Sequence, residues 1–223
     1  MSTDVQDVLK VSVVFAGTAL LEGDQALAIF SGSVESEVLP DGIVIGAVSG
    51  ALADRGRVLR LPRDRILVTS SSLRSSVERQ YPRIEDLERL AQVTACAVDA
   101  SGLTGQPVSA YGINVDLVYD QTSGESAQTY LAQRLLSSAV AISNAWSLVG
   151  GSAKLVFNDD GRRWTATLEP RLGDEATTKV YLGLNLHCTD QQIPTKDELS
   201  ALLTDVWEQV HGLVDRIDAG VNA

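Results

Sequence analysis

Two adjacent patterns in residues 179–217 constrain the fold more than any other feature of the chain. From 179 to 188 every second residue is apolar, so a strand here has one apolar face and one mixed face. Apolar residues then recur at helical spacing from Leu199 to Ile217, after a capping box formed by Thr195 and Glu198. A one-sided strand followed by a long amphipathic helix predicts an antiparallel sheet that helices cover on one face.

The remaining periodic segments extend this prediction to the whole chain. The predicted strands are 8–16, 43–48, 57–61, 65–70, 112–119, 153–157 and 163–169, and the other predicted helices are 20–30, 83–98 and 126–148. Strands and helices do not alternate, which disfavours a doubly wound sheet. We therefore predict an α+β fold with antiparallel sheets packed against helices, two similar halves and a long C-terminal amphipathic helix. The halves, 1–100 and 108–223, are expected to share one core within a single domain, 1–223.

Composition and charge disfavour several classes of partner. The formal net charge of −11 and the pI of about 4.6 oppose binding to nucleic acids and to anionic membranes. The first apolar run, 8–21, is too short and too interrupted by Lys10 to span a bilayer. Cys96 and Cys188 are the only cysteines, and their spacing fits no disulfide framework, as in reducing compartments. The sequence predicts a cytoplasmic protein.

No motif of a known catalytic, phosphate-binding or metal site is present. His187 and Cys188 are adjacent, but successive side chains of a strand point to opposite faces, so they cannot act as base and nucleophile. His211 shares a helix face with Glu208 and Asp215, a spacing that is common on the solvated side of amphipathic helices. The sequence thus predicts neither a metal nor a cofactor, and it gives little support to an enzymatic role.

The segment from Arg55 to Arg89 carries half of all the basic residues. It contains nine arginines, five acids and no lysine, so that it is net +4 while the rest of the chain is net −15. Guanidinium groups bind carboxylates and phosphates bidentately, which makes the segment a candidate contact surface. The candidate partner-binding residues are Arg57, Arg60, Arg63, Arg65, Arg74 and Arg79.

Three interpretations of this arginine segment remain open. The arginines can form ion pairs with the chain's own acids, or they can dock onto an acidic protein, including a second copy of the chain. The third interpretation, nucleic-acid binding, is disfavoured by the net charge and by the lack of aromatic residues interleaved with the arginines.

Two further stretches indicate a family. Residues 63–87, RDRILVTSSSLRSSVERQYPRIEDL, and residues 112–120, GINVDLVYD, combine a charged strand, a Tyr-Pro break, a helix and an Asn-bearing strand. In this order of elements the chain resembles a sporadically distributed bacterial family of unknown function, and the helix after the final strands is similar too. The resemblance implies an α+β fold and identifies no catalytic residue.

These observations predict a non-enzymatic protein-interaction or assembly subunit of a bacterial cytoplasmic system, with the arginine segment as its contact surface. The alternative is a small-molecule-binding protein or enzyme with a pocket at Tyr181, Asn185 and His187, which share the mixed face of the strand at 179–188. A third hypothesis is a chaperone-like protein that binds unfolded segments at exposed sheet edges.

Overall fold

A computed structural model of the chain describes residues 6–35, 44–48, 56–121, 123–136, 152–159, 162–171 and 178–219. Within them the chain forms nine strands and four helices. The strands are β1 (Gln6–Ala16), β2 (Val44–Val48), β3 (Gly56–Leu61), β4 (Ile66–Ser70), β5 (Arg74–Gln80), β6 (Pro107–Asp120), β7 (Ala153–Asp159), β8 (Arg162–Pro170) and β9 (Lys179–Gln192). The helices are α1 (Asp24–Glu35), α2 (Leu87–Ala100), α3 (Ala127–Leu131) and α4 (Lys196–Ala219), together with a 3₁₀ turn at Ile84–Asp86 and a π-helical turn at Ala132–Leu136.

All nine strands belong to one antiparallel sheet, with the order β2-β3-β4-β5-β1-β6-β9-β8-β7. β1 and β6 lie side by side at its centre, and each is flanked by the remaining strands of its own half of the chain. Each half supplies a central strand, a helix, an antiparallel run of strands and a closing helix, in that order. The α+β class, the antiparallel pairing and the similar halves are therefore as predicted.

The sheet is covered on one face because apolar side chains alternate along its central strands. In β1, Val11, Val13 and Phe15 are at most 1% exposed, and alternate residues of β6 from Ile113 to Tyr119 are equally buried. α1 packs on α2, and α2 packs on α4, above these residues. We term this side the helix face, and the opposite side, which no described helix covers, the open face.

One cluster of buried apolar side chains extends beneath both halves. It includes Phe30 and Leu90 from the first half and Leu184 and Val206 from the second. The division into halves at 1–100 and 108–223 stays a prediction about folding.

The long last helix has the predicted start and the predicted buried stripe. The backbone amide of Thr195 donates to Glu198 Oε2 at 2.8 Å, and the amide of Glu198 faces the Thr195 hydroxyl at 3.4 Å, which confirms the capping box. The hydrogen bonds that the Thr195 amide and hydroxyl donate to the Glu198 carboxylate lower the pKa of that carboxyl. Along α4 the buried residues are Leu199, Leu202, Leu203, Val206, Val210, Val214 and Ile217.

Other predicted elements differ from the structure. The sequence does not predict β5, because Ser75 occupies one of its two buried positions and Val77 the other, which leaves no apolar alternation to detect. The helix predicted from residue 20 begins only at Asp24, and Leu20 and Leu21 are buried in the preceding loop. The strand predicted at 112–119 is also too short, since β6 begins five residues earlier.

The helix predicted at 126–148 starts where expected. The Ser126 hydroxyl accepts a hydrogen bond from the Thr129 amide at 3.2 Å and so caps α3. α3 leads into the π-helical turn, and residues 137–148 of this prediction lie outside the described residues. Residues 160 and 161, between β7 and β8, also lie outside the described residues.

Candidate functional site

The six candidate arginines fall into two groups. Arg57 and Arg79 form internal ion pairs, with guanidinium nitrogens 3.1 Å from Asp24 and 2.7 Å from Asp86. The Arg79 side chain is only 12% exposed, so this pair joins β5 to the turn that precedes α2. The other four side chains are exposed and form no ion pair within the described ranges; they are those of Arg60, Arg63, Arg65 and Arg74.

Every acid of the arginine segment already has a cationic partner. The pairs and their N···O distances are Asp64–Arg89 (3.1 Å), Glu78–Lys10 (3.9 Å), Glu85–Arg83 (3.7 Å), Asp86–Arg79 (2.7 Å) and Glu88–Lys196 (3.5 Å). None of these partners is one of the four exposed arginines. The positive charge of the exposed group is therefore not neutralised by the acids of its own segment.

Three of the exposed arginines lie at one end of the sheet, on β3 and in the turn between β3 and β4. Backbone pairing brings this turn to the end of β5, because the amide of Gln80 donates to the carbonyl of Arg65 at 3.1 Å. Two exposed apolar side chains follow β5 along the chain, Tyr81 (60% exposed) and Ile84 (51%). The arginine–tyrosine patch, as we term this surface, comprises Arg60, Arg63, Arg65, Tyr81 and Ile84.

Two residues of the patch have a left-handed backbone. The φ angles are 53° at Arg65 and 48° at Tyr81, a region that costs a non-glycine residue about 1–3 kcal/mol and is enriched at functional sites. The amide of Arg65 donates to the carbonyl of Pro62 at 3.2 Å, and that of Tyr81 to Leu9 at 2.9 Å. The Tyr81 ring is thus held outward by a fixed backbone without packing into the core.

Arg74 lies at the opposite end of β5, where it lines a shallow depression of about 470 Å³ on the open face. The depression contains a row of neutral polar side chains in register across four strands, Ser12, Asn114, Asn185 and Thr165. The Asn114 amide donates to the Ser12 hydroxyl at 3.4 Å, and the Asn185 amide donates to the Asn114 side-chain oxygen. This row is the mixed face that the alternation at 179–188 predicts.

A charged group lies beside the neutral row. Lys10 Nζ is 3.0 Å from Asp116 and 3.9 Å from Glu78, and the Tyr181 hydroxyl donates to Asp116 at 2.8 Å. The Tyr181 ring lies over Gly183, where a Cβ atom would be 3.0 Å from the hydroxyl oxygen. Burial, together with the hydrogen bond to Asp116, raises the pKa of Tyr181 above its usual range. At neutral pH this hydroxyl is a hydrogen-bond donor and not a base.

The structure brings together two of the three predicted ligand-binding residues. Tyr181 and Asn185 line the depression, whereas His187 lies further along β9, opposite Gly112 and Arg163, outside the lining. Cys188 is fully buried on the helix face, where burial raises the pKa of its thiol. His187 and Cys188 therefore point to opposite faces, as the sequence predicts.

Sequence reasoning misses Lys10 and Asp116, the charged centre of the depression. The sequence does contain a local indication of both residues, because each is a polar residue in the alternating pattern of a predicted strand. The pairing of β1 with β6, which sets these two residues opposite each other, joins segments about 100 residues apart and leaves no local pattern.

A second depression, of about 360 Å³, lies on the helix face between β7, β8 and α4. Its apolar lining consists of Phe157, Trp164, Leu184 and Leu213, and its polar lining of Asp205, Gln209 and Arg216. Phe157 is 46% exposed, which is unusual for a phenylalanine on the covered side of a sheet.

The polar side of α4 shows an aromatic contact. The rings of His211 and Trp207 are tilted against each other with centroids 5.0 Å apart, and burial lowers the pKa of His211 while Asp215 opposes this shift. In the described part of the chain, no three His, Cys, Asp or Glu side chains lie close enough to hold a metal ion. Among the described helices, none combines the length and the apolar character needed to cross a bilayer.

Comparison with known proteins identifies weak similarity to solved structures. No protein-family model matches the chain, and no curated protein matches it. One similar solved structure is the apo form of the immunity protein TplEi of the type VI secretion system from Pseudomonas aeruginosa. The alignment has 11% identity and covers 91% of this chain and 89% of that chain, with a TM-score of 0.18. A TM-score this low does not establish a shared fold, and the resemblance to a bacterial family stays a prediction.

Proposed function

We propose that this chain is a non-enzymatic protein-interaction subunit that binds an acidic protein surface through the arginine–tyrosine patch. The observation that carries the proposal is the pairing of charges. All five acids of the arginine segment bind other cations, while Arg60, Arg63 and Arg65 remain exposed beside Tyr81 and Ile84.

The composition of the patch supports this role. Arginine and tyrosine are over-represented among the residues that dominate binding energy, because each combines a large contact area with directional hydrogen bonding. An acidic partner surface would supply carboxylates, which Arg60, Arg63 and Arg65 do not contact among the described residues, and Tyr81 would be buried at the contact. The rest of the chain, net −15, would repel an acidic partner elsewhere and so favour this orientation.

The direct test is charge reversal in the patch. We expect Arg63→Glu combined with Arg65→Glu to weaken retention of the partner at least about tenfold, because two attractive contacts become repulsive. The measurement is quantitative pull-down from lysate of the native host, with wild type and variant compared protein by protein. The matched control is Arg163→Glu combined with Arg171→Glu, which makes the same charge change at exposed positions of the other half.

A backbone variant separates binding from folding. Tyr81→Gly removes the ring and relieves the positive φ, so we expect unchanged or slightly higher stability together with loss of the partner. Equal retention of the same proteins by wild type, by the Arg63/Arg65 double variant and by Tyr81→Gly would contradict the proposed function.

A second candidate function is binding of a small polar ligand in the depression on the open face. It is favoured by the row of amide and hydroxyl groups that includes Asn114, Asn185 and Thr165. Such groups suit a neutral ligand with several hydroxyl or amide groups. A thermal-shift screen of polar metabolites is the measurement, and Asn185→Leu should abolish any shift that His187→Ala leaves intact, since His187 is outside the lining.

A further inference from the structure

The strand β7 forms one edge of the sheet. It pairs with β8 over its whole length, from Ala153 opposite Leu168 to Asp159 opposite Arg162, without any shift of register. No described strand pairs with its other side. Along these seven residues, every second residue therefore directs its backbone N–H and C=O groups towards an additional strand.

β7 itself carries few of the features that normally protect such an edge. It contains no proline and no bulge, and Lys154 is the only charged residue among its first six. An exposed apolar side chain stands on each side of it, Val156 (44%) on the open face and Phe157 (46%) on the helix face. An added strand would cover both.

The sequence of β7 is complementary to itself in one antiparallel register. If Val156 faces Val156 of a second copy, then Leu155 faces Phe157 and Lys154 faces Asn158, so from 154 to 158 apolar meets apolar and polar meets polar on both faces. The end pair of this register sets Ala153 opposite Asp159. A shift of two residues in either direction, the smallest that keeps the faces matched, puts Val156 opposite Lys154 or Asn158 and loses this match.

We propose that two copies of the chain associate through β7, around a two-fold axis at Val156, and extend the nine-stranded sheet into one of eighteen strands. The axis is perpendicular to the sheet, so the helix layers of both copies lie on the same side. Phe157 of each copy then packs against Leu155 of the second copy, next to the apolar depression lined by Trp164 and Leu213.

This inference is independent of the proposed function. β7 is at one edge of the sheet, whereas the arginine–tyrosine patch involves β3, β4 and the end of β5 on the other side of the central strands. The dimer therefore leaves the patch free in each copy and presents two patches. Either proposal can fail without the other.

The test uses the fact that a residue on a two-fold axis faces the same residue of the second copy. In sedimentation velocity of the full chain, from about 1 µM to about 100 µM, we expect the wild type to dimerise. Val156→Lys and Val156→Glu should each weaken the dimer at least about tenfold, because like charges face each other across the axis. An equimolar mixture of the two variants should dimerise again, since Lys then faces Glu.

The matched control is Ile29→Lys, which places the same charge at an apolar side chain of similar exposure (49%) on α1 and should leave the dimer intact. A wild type that stays monomeric over the whole range overturns the proposal. A dimer that survives in both Val156 variants overturns it too.

Cross-linking covers the case in which a charged variant does not fold. Val156→Cys should form an intermolecular disulfide under mild oxidation, because directly opposed residues of antiparallel strands have Cα atoms about 4.5–5.5 Å apart. Phe157→Cys faces Leu155 and not itself, so its cross-linking should be much slower. Equal rates for these two variants, or a rate for Val156→Cys no faster than wild type, would reject the register.

Discussion

Gly112 lies where β6 approaches β9 too closely for any side chain. A Cβ atom there would be 2.7 Å from the carbonyl oxygen of Leu186, which belongs to the backbone and cannot move aside freely. At Gly32, in the middle of α1, no atom of the described residues outside the backbone of that helix lies within 4 Å of the corresponding position. Packing therefore requires a glycine at residue 112, whereas residue 32 has room for a side chain.

This contrast predicts opposite effects of one substitution. We expect Gly112→Ala to lower the free energy of unfolding by about 1–3 kcal/mol, because the strands must separate to admit the methyl group. Gly32→Ala should raise it by up to about 1 kcal/mol, since alanine is the better helix former. Urea denaturation measures both, and a loss of stability in the two variants alike would contradict the packing described at Gly112.

Residue type alone cannot assign the arginines to their roles. Arg57, Arg60 and Arg63 follow one another at intervals of three residues, and nothing in that spacing distinguishes the first from the others. Arg57 is engaged because α1 brings Asp24 to it, 33 residues away in sequence. The sequence therefore shows a charged segment but does not predict which of its arginines are exposed and which form ion pairs within the described residues.

At the scale of elements, we expect His211 of α4 to make stability depend on pH. Burial against Trp207 lowers the pKa of His211 in the folded chain below the value near 6.5 expected when unfolded. The unfolded chain then binds more protons between the two pKa values. This contribution to stability is fully present above about pH 6.5 and is lost as pH falls through the lower folded pKa.

The variant His211→Phe, which keeps an aromatic ring beside Trp207, should remove this dependence. We expect the wild type to lose more stability than the variant between pH 7.5 and pH 5, with a difference in slope below about 1.4 kcal/mol per pH unit. The half-buried position of the ring reduces the slope further through solvent screening. Urea midpoints of both proteins at several pH values measure this difference in slope. The same pH dependence in wild type and variant would contradict the predicted effect.

The elements that sequence analysis recovers are those with one apolar face. α4 and β9 are predicted well because their buried positions are almost all Leu, Val or Ile and recur at a single period. β5 is missed because a buried serine replaces an apolar residue: the Ser75 hydroxyl donates to the Thr18 carbonyl at 2.7 Å and accepts from the Leu20 amide at 2.9 Å. Its polar group is satisfied in the core, which periodicity cannot foresee.

At the scale of the whole molecule, the shared sheet predicts that the halves unfold together. All three tryptophans are in the second half, so tryptophan fluorescence reports on residues 108–223, while far-ultraviolet circular dichroism reports on both halves. We expect the two signals to give the same urea midpoint, because β1 and β6 pair along ten residues at the centre and one core lies beneath both halves. Two separate midpoints would show halves that unfold independently.

The topology itself is beyond what the sequence can predict. Local patterns indicate two similar halves, and the order of elements confirms them, but the depression with Lys10 and Asp116 exists only because the halves join through β1 and β6. Nothing in the sequence of β1 or of β6 favours their pairing with each other over pairing with another strand of similar alternation.

The central position of β1 also has a consequence for synthesis. Val8 pairs with Leu117, and at about 5–20 residues per second the ribosome takes on the order of ten seconds to reach the second strand after making the first. β5 can cover one side of β1 early, but the other side stays uncovered during this interval. Neighbouring nascent chains on the same messenger carry the same uncovered strand, and they are the partners that the growing polypeptide must avoid.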